Sequence, residues 1–71
     1  MPNNIHVVPH KDGWDVTEEN ARYAESHHAT QEEAIAAATA RAKRDRVELL
    51  VHGADGQIRL RNSFGGTPRE I

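Results

Sequence analysis

The sequence predicts an α+β fold, ββαββ-like, with a four-stranded, mostly antiparallel sheet and one helix packed on one face. Three observations lead there. Short alternating apolar runs flank Asp-Gly turns at both ends of the chain. Between them lies a stretch dominated by alanine and charged residues, over 31–46, preceded by a helix-start signature. At 71 residues the chain has room for one small core only.

Ile5-His6-Val7-Val8 is rich in β-branched residues and reads as a strand, which Pro9 confines to an edge, an end or a bulge. Lys11-Asp12-Gly13 is a turn in which Gly13 can take a positive φ. Trp14-Asp15-Val16-Thr17 alternates, with Trp14 and Val16 facing inward, and completes a hairpin. Glu18-Glu19-Asn20 reads as a turn or bulge. Residues 21–27 offer Ala21, Tyr23 and Ala24 as their apolar positions and read as a short polar strand.

Thr30 and Glu33 form a capping box, in which the Thr30 oxygen accepts from the Glu33 N–H and the Glu33 side chain reaches back. Glu32 and Glu33 suit the positive end of the helix dipole. Ala34, Ile35, Ala38 and Ala42 share one stripe, and its small side chains predict a helix lying close on a sheet. Val47-Glu48-Leu49-Leu50-Val51 is the strongest strand signal, with Val47, Leu49 and Val51 on one face and Glu48, Leu50 and His52 opposite. Gly53-Ala54-Asp55-Gly56 turns the chain into Ile58-Arg59-Leu60-Arg61, where Ile58 and Leu60 are expected inside and the two arginines outside. Residues 1–64 are expected to form the domain and residues 65–71, with Gly65, Gly66 and Pro68, a flexible tail.

Several of these segments together resemble a small prokaryotic family known as domain of unknown function 2188. They are Ile5-His6-Val7-Val8-Pro9, Gly13-Trp14 with Val16, Thr30-Gln31 with Ala34-Ile35, Glu48-Leu49 through Val51-His52-Gly53, Asp55-Gly56 with Ile58, and Ser63-Phe64-Gly65. The likeness runs over residues 5–65 and is poor over 17–29. It implies a compact bacterial or phage domain and brings with it no activity, cofactor or catalytic residue.

Composition excludes several functions. With no cysteine there is neither a disulfide nor a Cys-based zinc site. No apolar run approaches the ~20 residues of a membrane span, so no membrane partner is expected. Met1-Pro2-Asn3-Asn4 has neither the basic n-region nor the apolar h-region of a secretory leader, and the expected compartment is the cytoplasm. The helix is not preceded by a Gly-rich phosphate loop, so no cofactor is expected. Ser63, His52 and Asp55 could be named as a triad, but any chain of this size offers such a trio, and an enzyme is not expected. The five histidines lack ligand spacing. His6 and His10 lie roughly 13 Å apart along a strand, His27 and His28 point to opposite faces, and His52 serves the turn at Asp55; no metal is expected, although a fold could gather His6 and His52 across neighbouring strands.

Charge is unevenly divided. Residues 1–40 hold Lys11 and Arg22 against seven acidic residues, whereas residues 41–71 hold seven basic residues against Asp45, Glu48, Asp55 and Glu70. Two readings of function follow, of which the first is preferred and the second is the alternative. In the first, the domain is a non-enzymatic module that contacts nucleic acid through Arg41, Lys43, Arg44 and Arg46 at the helix end and Arg59 and Arg61 on a strand face, since guanidinium pairs with phosphate and stacks on bases. Against it stands the net charge of -2. In the second, the uncovered sheet face, with Leu50 and Val8 as outward apolar residues, binds another protein or a second copy as a homodimer.

Overall fold

The computed structural model describes residues 3–65. The element order is β1 (Ile5–His10), β2 (Gly13–Glu18), β3 (Ser26–His28), α1 (Gln31–Asp45), β4 (Glu48–His52) and β5 (Ile58–Ser63). The expected α+β architecture with one helix is present. The sheet, however, has five strands in the order β3-β2-β1-β4-β5 rather than four, and it is mixed rather than mostly antiparallel.

Both corrections have one cause. β3 runs antiparallel to β2 and therefore in the direction of β1. The helix then carries the chain back across the sheet, and β4 emerges parallel to β1, with Ile5 beside Leu49, His6 beside Leu50 and Val7 beside Val51. Parallel neighbours need a long crossover, and the segment from β2 to α1 supplies it. β3 is only three residues long and polar, so it carries no alternating pattern. Its place is held by backbone pairing, continued by the Glu25 N–H donating to the Val16 carbonyl at 2.7 Å.

The turn between β1 and β2 also differs in detail. Lys11, not Gly13, takes the positive φ, at 57°. Gly13 is needed for a different reason: any Cβ there would collide with the His28 carbonyl and the His27 ring on β3. Gly65 is similar, because a side chain would strike the Arg46 carbonyl where the chain closes over the helix end.

At the start of α1, Thr30 Oγ1 accepts from the Glu33 N–H at 3.1 Å, so the donor half of the expected capping box forms. At its end Arg46 turns left-handed, φ 60° and ψ 52°. Ala34, Ala38 and Ala42 are fully buried and let the helix sit directly on Ile5, Val7, Val16, Val47, Leu49 and Val51. Trp14, Ile35, Ala37 and Phe64 pack around this cluster half-buried. Phe64 is tied down by its N–H to the Val47 carbonyl, 3.2 Å. Of the expected tail, Gly65 is described and residues 66–71 lie outside the described residues. No described helix is long and apolar enough to cross a membrane.

Two expectations about β4 and β5 are corrected. Leu50 does point away from the helix and stands outside the core cluster, but it is only 5% exposed. Its neighbours His6 on β1 and Arg61 on β5 flank it across the sheet. Ile58 and Leu60 are not inside: they are 46% and 42% exposed. The β4–β5 register slips between Val51 and His52, so Leu60 pairs with Val51 while Ile58 pairs with His52, and Arg59 becomes the extra residue of a bulge. The helix covers β1 to β4, and no described element packs against β5 except β4.

Candidate functional site

The six basic residues singled out in the sequence fall into two groups, four at the helix end and two on β5. Arg41 is committed to carboxylates. Its Nε donates to Asp45 Oδ2 at 2.8 Å, its Nη1 donates to Glu25, and Glu18 lies 3.7 Å from Nη2. These contacts turn it toward β2 and the approach to β3. The hydrogen bond with Asp45, followed by that with Glu25, raises the Arg41 pKa above the usual value. Conversely, hydrogen bonds from Arg41 and then Arg44 hold the Asp45 carboxyl below the usual aspartate value. Arg44 donates to Asp45 Oδ1 at 3.1 Å. Lys43 places its ammonium 5.8 Å from the centre of the Phe64 ring. Arg46 ends the helix.

Arg59 and Arg61 lie on β5, at the opposite edge of the sheet from β3. Arg59 Nη2 is 2.7 Å from Asp55 Oδ2, which also accepts from the Gln57 N–H through its other oxygen. Arg61 is less engaged than Arg59, with its Nε 4.0 Å from Glu48 and its side chain 62% exposed. All six residues of β5 are exposed, and as an outer strand it presents one row of backbone N–H and C=O groups without a strand partner among the described residues.

The helix-free face carries a second constellation that charge counting does not reveal. Because Ile5, Val7, Val16, Leu49 and Val51 face the helix, alternation sends His6, Val8, His10, Asp15, Thr17, Leu50 and His52 to the other side. His27 joins them opposite Asp15, while His28 sits opposite Trp14 on the helix side, so the adjacent pair does split between faces. Four of the five histidines thus share one face.

They form two clusters. At the β1–β2 end, His27 Nδ1 is 2.6 Å from Asp15 Oδ1, its Nε2 is 3.6 Å from Asp12, and His10 is 3.9 Å from Asp15. A shallow cleft of about 390 Å³ lies over these residues, bounded also by Lys11, Ala24 and Ser26. Nearer the centre of the sheet His6 and His52 meet across β1 and β4, with His6 Nδ1 2.9 Å from His52 Nε2. His6 Nε2 is 3.0 Å from Glu19 Oε1, and His52 Nδ1 is 3.0 Å from the Gly56 carbonyl oxygen. His52 therefore does serve the turn, but through Gly56 rather than Asp55. Among the described residues no group of three or more His, Asp or Glu side chains is placed to hold a metal ion.

The sequence showed that a fold could gather His6 and His52, and Arg41 and Asp45 stand at the i,i+4 spacing that pairs side chains on a helix. It did not anticipate Glu19 as the third member of the histidine network. Glu19 is drawn in because its N–H donates to the Asn4 carbonyl at 2.8 Å, extending the β1–β2 ladder by one residue and bringing its side chain beside His6.

Comparison with known proteins agrees with these landmarks. Residues 5–64 match the family described as "Uncharacterized protein conserved in bacteria (DUF2188)". The "Uncharacterized protein YdaT" of Bacillus subtilis (strain 168) is 37% identical over 60 residues, which cover 84% of this chain and 40% of that protein. The chain thus spans less than half the length of this relative. No solved structure matches. The match takes in all five strands and the helix, the frame that carries both histidine clusters and the exposed edge, and the chain belongs to this bacterial family, DUF2188.

Proposed function

We propose that this domain is a non-enzymatic binding module of the bacterial cytoplasm that takes an extended, acidic segment of a partner polypeptide along the free edge of β5. The observation that carries this reading is β5 itself. It is six residues long, exposed throughout, and outermost in a sheet that it extends well beyond the helix. Strand addition uses such an edge: main-chain hydrogen bonds supply affinity, and alternate side chains supply selectivity. Here Ile58 and Leu60 offer apolar contact, and Arg59 and Arg61 favour carboxylates. Arg61 can exchange its loose 4.0 Å contact with Glu48 for a closer one. Two arginines on one edge strand also oppose pairing with the same strand of a second copy. A partner of opposite charge meets no such opposition.

The nucleic-acid reading asks for the six basic residues to act together on phosphates. Arg41 instead sits among three carboxylates, turned toward β2 and β3, whereas Arg59 and Arg61 lie on β5 at the other edge of the sheet. That arrangement supports the protein-binding reading over it, because affinity for nucleic acid follows the number of phosphates neutralised.

The test is backbone hydrogen exchange with a synthetic peptide of alternating valine and glutamate, and with a control peptide carrying lysine for glutamate. The glutamate peptide should protect the amides of β5 and the lysine peptide should not, and Arg61→Glu should weaken the protection. Absence of protection, a salt-sensitive complex with oligonucleotides, or a stable dimer of the protein alone in sedimentation would each replace this reading.

A further inference from the structure

His6 and His52 bring four ring nitrogens to three hydrogen bonds. The outer two acceptors, the Glu19 carboxylate and the Gly56 carbonyl, have no proton to give, so each requires an N–H from its histidine. The middle contact, 2.9 Å between His6 Nδ1 and His52 Nε2, requires one proton between two nitrogens. The network is therefore complete with three protons on the four nitrogens. Two neutral imidazoles carry two protons and leave one of the three contacts without any. Two imidazolium rings carry four and set N–H against N–H across the middle contact, adding charge repulsion. With three, the extra proton can sit on either ring, and both arrangements satisfy every partner.

This pair lies where the two hairpins join. β1 and β4 are paired over three residues only, Ile5 to Val7 with Leu49 to Val51. The histidines bridge that short seam on the helix-free face and extend through Gly56 into the β4–β5 turn. On the other side of the seam, Gln31 at the helix start donates to the His52 carbonyl at 3.2 Å.

We propose that His6 and His52 form a single-proton clasp across the β1–β4 seam, closed when the pair shares one extra proton and opened by removing it or by adding another. The charged groups around it come from every neighbouring element. Glu19 follows β2, and Asp15 on β2 is held by His27 and His10. Glu48 on β4 is near Arg61 on β5, and Asp55 in the turn holds Arg59. The helix offers only the uncharged Gln31. Among the described residues, Glu19 is the one carboxylate in direct contact with the pair.

The sign follows from the proton count. The folded chain gains its last contact with the first extra proton, so stability is greater with that proton bound than without it. It disfavours the second, so stability falls again on further acidification. The clasp anchors the turn leading into β5, so its opening loosens the edge proposed above as the docking strand. That consequence rests on the docking reading, whereas the clasp itself does not and is measured without any peptide.

The experiment is urea unfolding of the wild type, Glu19→Gln and His52→Asn between about pH 4.5 and about pH 8.5. It is accompanied by ¹⁵N spectra of the histidine rings in the wild type. The wild type should show a stability maximum inside this range, with the unfolding constant roughly tenfold larger on either side, the effect of one hydrogen bond. His52→Asn should flatten the maximum. Glu19→Gln should remove the alkaline loss alone, because its amide can donate to a bare His6 Nε2 and so complete the network with two neutral rings. The spectra should show three ring protons on the pair at the maximum. Independent titration of the two rings, or an alkaline loss undiminished in Glu19→Gln, would overturn the clasp. If His52→Asn does not fold, the ring spectra and Glu19→Gln decide.

Discussion

Ile5 stands directly beside Leu49 in the parallel register of β1 and β4, and neither side chain has any exposure to solvent. The contact joins the first hairpin to the last across 44 residues of chain, so it reports on whether the crossover has formed. Truncation of Leu49 to alanine removes apolar volume that the small alanines of the helix cannot refill. Leu49→Ala should cost about 2–5 kcal/mol in urea unfolding. The same change at Leu60, exposed on β5, should cost no more than about 0.5 kcal/mol. Equal costs at the two positions would mean that the sheet does not have its core at the β1–β4 seam.

Thr30 caps a helix whose apolar stripe is mostly alanine. Such a stripe buries little area per residue, so local terms at the helix ends weigh more than they would under a leucine-rich stripe. Replacement of Thr30 by alanine leaves the Glu33 N–H without its 3.1 Å acceptor. The expected loss is about 1 kcal/mol, read as a lower urea midpoint with unchanged slope, and Thr30→Ser should retain most of the stability.

The elements that could be read from the sequence are those with a local signature. Thr30 with Glu33 marked the helix start, alternation at Trp14 and Val16 marked β2, and the Val47–Val51 run marked β4. What escaped was set by contacts between distant segments. The third strand, expected over 21–27, forms instead at Ser26–His28, because the free edge of β2 and not the apolar positions Ala21, Tyr23 and Ala24 decides where the chain pairs. The parallel neighbourhood of β1 and β4 depends on the direction in which the helix returns. Leu60 pairs with Val51 on the helix side and is exposed because the helix does not reach β5, whereas Ile58 is shifted opposite His52 by a one-residue slip, and neither leaves a mark on the alternating pattern in the sequence. The candidate site divides in the same way. Arg41 with Asp45 is an i,i+4 pair and could be read directly, whereas the histidine network draws on residues 6, 19, 52 and 56 and needed the fold.

Asp45 accepts from Arg41 and Arg44, and these hydrogen bonds hold its folded-state pKa below the usual 3.8. A depressed carboxylate contributes stability that is fully present above its unfolded value and is lost as pH falls through its folded one. The contribution of Asp45 should therefore persist down to about pH 4 and disappear below it. A ¹³C titration of the side-chain carboxyl checks this. The midpoint for Asp45 should lie below that of an unpaired aspartate in the wild type and move up in Arg41→Gln. An unchanged midpoint in that variant would assign the shift to Arg44 instead.

Arg46 ends the helix at φ 60° and ψ 52°, a left-handed conformation in which an ordinary side chain crowds the backbone. Most helices place glycine at such a position. Two terms compete when Arg46 becomes glycine. Relief of the left-handed strain stabilises by about 1 kcal/mol, whereas loss of a cation at the negative end of the dipole costs about 0.3–1 kcal/mol and is reduced by salt. Arg46→Gly should therefore be slightly more stable than the wild type at low salt and clearly more stable at high salt. Arg46→Ala separates the terms, because it loses the charge and keeps the strain, and it should be the least stable of the three. Thermal unfolding at two salt concentrations reads all of them. An Arg46→Gly protein less stable than Arg46→Ala would show that the arginine backbone is not strained. The helix end would then be held chiefly by the docking of Gly65 against the Arg46 carbonyl.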